Sequence, residues 1–148
     1  MQDLIKLLHL AGAIVWLGGM TFMLVALRPA AHALLQPPQR LPLIAAAVSR
    51  FFVAVWLSVV ALLFTGLAML LAVGMKGAPL GWHLMLGIGM LMFLVFGHIY
   101  FGPWRRVKLA VAACDWPEGG RRMGQVTLLV KLNFVLGWVA VAAVVLVH

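Results

Sequence analysis

Four apolar runs, each about as long as a bilayer crossing, constrain this chain more than any other feature. They extend from about Leu4 to Leu27, Phe51 to Val73, Trp82 to Gly102 and Val126 to Val147. At 1.5 Å of rise per residue, roughly 20 residues cross a hydrocarbon slab about 30 Å thick. No water is available there to satisfy peptide groups, so runs this apolar must form helices. The expected fold is all-α: a single transmembrane domain over residues 1–148, an integral membrane four-helix bundle. Composition agrees, because 66% of the residues are hydrophobic and only 9% are charged, whereas soluble domains carry roughly a quarter charged residues.

The connections carry the breaks. Arg28-Pro29 closes the first run. Gln36-Pro37-Pro38-Gln39 then separates two short helical pieces in the first connection. Met75–Gly81 reads as a tight turn. The third run is expected to continue as helix to about Cys114, with a turn over Asp115-Trp116-Pro117-Glu118-Gly119-Gly120 before the fourth helix. The first run contains neither a small-residue cleavage site nor a soluble sequel, so it reads as a span rather than a cleaved signal. Cys114 is the only cysteine, which excludes an internal disulfide or a CxxC motif and suggests a reduced cytoplasmic thiol.

Charge sets the orientation. Arg28, Arg40, Arg50, Arg105, Arg106, Lys108, Arg121, Arg122 and Lys131 lie in the first and third connections or at the start of helix four. Only Lys6 and Lys76 lie on the other side. The positive-inside rule therefore puts the long connections in the cytoplasm and both termini outside, an N-out, C-out protein of a bacterial-type inner membrane. The net charge of +8 is then topological: the expected partner is the lipid bilayer, and no nucleic-acid motif accompanies the bases. The spans are apolar all round and rich in small residues, which leaves a face for a homodimer.

Ionisable groups inside a membrane are functional candidates by default. His9, His83 and His98 qualify, whereas His32 lies in a connection and His148 is terminal. His9 and His83 both sit near the outer ends of their helices and can share a layer. His98 is about 22 Å deeper by helical rise, towards the cytoplasm. Gly12 and Trp16 continue the His9 face, and Gly87 continues the His83 face. Such small residues either pack helices closely or admit a flat ligand. Met75 and Met85 flank the outer histidine layer, and thioethers with imidazoles suit copper(I), although methionine also fills apolar helices. Trp82 and Trp104 fall at the expected interfacial belts, while Trp16 and Trp138 fall within spans. Lys131 is expected to snorkel to the cytoplasmic surface. The spans contain no Asp or Glu, which argues against a proton relay, and the chain has no phosphate loop or HExxH motif.

Several runs carry a family resemblance. Lys6-Leu7-Leu8-His9-Leu10 with Trp16-Leu17-Gly18-Gly19, Arg28-Pro29, Pro37-Pro38-Gln39-Arg40, Thr65-Gly66 and His83-Leu84-Met85 are among them. His98-Ile99-Tyr100-Phe101-Gly102-Pro103-Trp104-Arg105-Arg106 and Asp115-Trp116-Pro117 complete the set. Together they resemble the copper resistance protein D family over nearly the whole chain, which implies copper handling in the inner membrane. Larger members have extra helices or a periplasmic domain. The His9/Trp16 spacing is also similar to the heme-containing membrane protoporphyrinogen oxidases. Their early helix-three lysine is replaced here by Met85 and Gly87, so that oxidation is not expected.

Three readings stand. In the first, His9 and His83 are axial ligands of a b-type heme lying against Gly12, Trp16 and Gly87, in electron exchange with a quinone or a periplasmic redox partner. In the second, His9, His83, Met75 and Met85 bind or transport copper, with His98 a further metal candidate. In the third, the histidines are structural and the protein is a membrane scaffold.

Overall fold

The computed structural model describes residues 1–147; His148 lies outside the described residues. Helix α1 (Gln2–Phe22) passes through a π-helical segment, Met23–Leu27, into α2 (Arg28–Leu34). Helices α3 (Pro37–Val73), α4 (Leu80–Phe101), α5 (Pro103–Ala112) and α6 (Trp116–Leu146) follow, with no strand among the described residues. Four of the resulting helical stretches are long and apolar enough to cross a membrane. Within the most apolar window of each, only 17–28% of the residues are buried in the protein. Large apolar side chains along these helices, Leu57, Phe64, Leu94 and Leu146 among them, are exposed. An apolar surface this extensive is stable only against lipid.

The connections differ from the sequence expectation in three places. The proline-rich stretch does not separate short pieces in the first connection; the break is confined to Leu35 and Gln36. Pro37 and Pro38 open α3, where a missing N–H costs nothing because the first turn has no intrahelical acceptor for it. Helix α3 then runs 37 residues without interruption through Pro42. The third helix does not continue unbroken: Gly102 (φ −105°, ψ −105°) separates α4 from α5. The turn before the fourth helix is also shorter than expected. Cys114, exposed and at φ 53°, ends α5, and Asp115 caps α6 by accepting from the Glu118 N–H at 3.3 Å. Trp116, Pro117 and the Gly119-Gly120 pair are already helical.

The π segment has a local cause. Pro29 cannot donate to the carbonyl one turn earlier, and the chain absorbs the mismatch by widening just before it.

Helices pack as two antiparallel pairs, α1 on α3 and α4–α5 on α6. An aromatic seam joins the pairs. Trp16 stacks on Phe93 at 5.8 Å, and Phe96 meets Trp16, Phe52 and Trp56 edge-on. Trp104, expected at an interface, is instead 1% exposed and packs against Phe52. The break at Gly102 turns this tryptophan inward, into the core. Trp138 is the outward-facing one. Asn133, fully buried, ties α6 to α4 by donating to the Met92 carbonyl at 3.1 Å.

Candidate functional site

His9 is the membrane histidine with a built environment. Its Nδ1 lies 2.8 Å from Thr65 Oγ1 of α3. The Thr65 hydroxyl donates to the Ala61 carbonyl one turn back. Its proton is therefore committed, and the oxygen is left to accept from His9 Nδ1–H. That assigns the proton of the neutral imidazole to Nδ1 and leaves the Nε2 lone pair free. Nε2 is buried and has no hydrogen-bond partner among the described residues. A ring held by one nitrogen with the other open is how a metal-ligating histidine is prepared.

Gly66 makes the approach possible. A Cβ there would stand 3.2 Å from His9 Cε1, so glycine lets the imidazole rest on α3 without having to shift. Thr65 is itself 8% exposed. In the sequence Thr65-Gly66 carries no role beyond the family resemblance; its signal is a hydroxyl and a glycine side by side in a mostly apolar helix. Met69, four residues after Thr65, is half-buried on the same face and one turn nearer the end where α1 begins. It is a soft donor that the sequence reading did not select.

The other candidates are dispersed. His83 and Met85 are half-buried in the first two turns of α4, at the same end of the bundle as His9, but the polar partner of His9 is on α3 and not on α4. Met75 is exposed in the turn between α3 and α4. Gly12 is buried and filled on its open side by Leu62, whose Cγ would lie 3.2 Å from an added Cβ. Gly87 faces outward, with open space beside it. Trp16 belongs to the aromatic seam. These small residues thus serve helix packing or the outer surface. His98 lies at the opposite end, in a cavity of about 350 Å³ shared with Arg106, Arg122 and Gln125. Among the described residues, no group of three His, Cys, Asp or Glu could hold a metal ion.

The model of one family, copper resistance protein D, matches residues 45–147, more than two thirds of the chain. The chain belongs to the copper resistance protein D family. The matched segment covers Thr65, Gly66, His83 and His98 and begins downstream of His9. No curated protein and no solved structure matches the chain. Family and fold together make this a multi-pass membrane protein related to copper resistance.

Proposed function

We propose that this protein binds copper ions as cargo within the membrane, with His9 Nε2 as the anchoring ligand. One observation carries the reading: His9 Nδ1 is tied to the Thr65 hydroxyl, and the buried Nε2 has no hydrogen-bond partner among the described residues. Copper(I) accepts imidazole and thioether donors and needs no carboxylate, which suits spans that have none. Met69 is the nearest soft donor by helical register, and His83 and Met85 are candidates from α4. A homodimer would supply further donors where one copy leaves the ion incompletely coordinated. The nine-to-two distribution of bases supports an orientation in the inner membrane with His9 towards the periplasm.

A b-type heme between His9 and His83 is the weaker reading. Gly12 is filled by Leu62, and the neighbouring core is filled by the Trp16–Phe93 stack, so the stripe that could have admitted a macrocycle packs helices instead.

The test is titration of the purified full-length protein with copper(I) against a chromophoric chelator, alongside an absorbance spectrum. Stoichiometric copper binding by a colourless protein that disappears in His9→Ala supports the proposal. A red protein with a heme spectrum, or copper binding unaffected in His9→Ala, overturns it.

A further inference from the structure

The opposite end of the bundle holds a second built feature, and it is strongly positive. Arg28, at the start of α2, lines a cavity of about 260 Å³ with Leu24, Pro29, His32 and Lys131 of α6. Arg40 of α3 stands near enough for its charge to act on Arg28. Arg28 and Lys131 thus meet at the cavity, and Arg40 stands near Arg28 without lining it. The Nε–H groups of Arg28 and Arg40 are both buried and meet no acceptor among the described residues.

No carboxylate is free to answer them. The chain has three acidic side chains. Asp3 lies beside Lys6 at the other end, Asp115 caps α6, and Glu118 is held by Arg121 and Arg122. A buried guanidinium donor without an acceptor is costly. The positive-inside rule explains why bases lie on this side of the membrane, but not why two half-buried arginines should each keep a buried Nε–H without an acceptor.

An anion is the partner that would answer both the open donors and the uncompensated charge. Guanidinium matches phosphate oxygens with paired N–H donors, and Lys131 adds a point charge. The cavity lies beside the first span's end, where Leu24 and the exposed Val25 continue into the lipid-facing surface. A ligand there can place a phosphate among the bases and apolar chains along the helix. His32 is turned back, its Nδ1–H donating to the Arg28 carbonyl at 2.9 Å, so the ligand's main contacts fall to Arg28 and Lys131.

We infer that this basic cavity is a binding site for the phosphate of an anionic phospholipid. The site needs no metal and is independent of the copper reading.

The experiment is native mass spectrometry of the full chain in mild detergent with dioleoylphosphatidylglycerol, dioleoylphosphatidylcholine or inorganic phosphate. The anionic lipid should be retained about tenfold better than the zwitterionic one, and the preference should fall to about twofold in Arg28→Gln. Lys131→Gln, a change at an exposed residue, should lose most of the preference too, and it decides the matter if Arg28→Gln does not fold. Arg105→Gln removes the same charge from an exposed position outside the cavity and should leave the preference intact. An equal loss in Arg105→Gln, or no preference in the unaltered protein, overturns the site. Displacement of the anionic lipid by millimolar phosphate overturns the lipid assignment in favour of a free anion.

Discussion

The two ends of the first helix solve opposite problems. At one end, His9 is a neutral ring whose donor nitrogen is satisfied by Thr65 and whose acceptor nitrogen is left open. At the other, Arg28 is a permanent cation whose buried donor is left open beside a second cation, Arg40. Nineteen residues separate them, roughly 28 Å by helical rise and close to the hydrocarbon thickness. An open lone pair attracts a cation, and an open donor attracts an anion. The same apolar helix therefore presents contrary chemistries to its two surroundings, and the ligands of each should be separable by mutation.

The largest expected effect is at the histidine end. His9→Ala should abolish copper(I) retention in the chelator competition while leaving anionic-lipid retention as it was. Loss of both would mean that the two ends are not independent. Thr65→Val comes next. It keeps the shape but removes the oxygen that orients the ring, and losses of about 10- to 100-fold in metal affinity are usual for such partners. Wild-type affinity in this variant would show that the hydroxyl does not prepare Nε2.

Gly66→Ala should act more weakly, because the ring must move only a few tenths of an ångström from the new methyl group. We expect a loss of about threefold to tenfold in copper affinity with unchanged helicity, smaller than that of Thr65→Val. Arg28→Gln should change copper affinity by no more than about twofold, since this half-buried charge lies at the water-facing end of the helix, roughly 28 Å away by helical rise, where it is largely screened. A larger change would tie the basic cavity to the metal end. Smallest of all, Asn133→Leu removes one interhelical hydrogen bond, worth about 0.6–2 kcal/mol in a membrane. Thermal unfolding in detergent should register it as a modest loss, with both ligand assays preserved.

Much of the fold was legible in the chain because its causes are local. Hydrocarbon forbids unsatisfied peptide groups, so apolar runs of sufficient length had to be helices, and Arg28-Pro29, Gly74 and Gly102 mark helix irregularities or ends. The misread connections concerned prolines and glycines, whose effect depends on position within a helix. Pro37 at a first turn continues into helix, and Gly119 and Gly120 are helical because Asp115 caps just before them.

The candidate site was legible only in part. Residue type brought out His9 together with His83 and His98, because an ionisable side chain in an apolar run is conspicuous, and depth paired His9 with His83. Its working partner was not, since Thr65 is 56 residues away and hydroxyls are common on helices. Trp104 was misread for a related reason: an aromatic residue beside basic ones fits an interfacial belt, but the Gly102 break turns it into the core.

By itself, then, the sequence determined that four helices cross a membrane, which end of the bundle collects the bases, and which few polar residues it must accommodate. Those follow from hydropathy and charge, summed along short stretches. Only the tertiary structure decided that α1 lies on α3, that Gly66 admits the imidazole and Thr65 holds it, and that Arg28 and Lys131 meet around one cavity near Arg40. Pairing among helices that are all apolar outside depends on side-chain shape and on where small residues fall, and neither is a property of one stretch of chain.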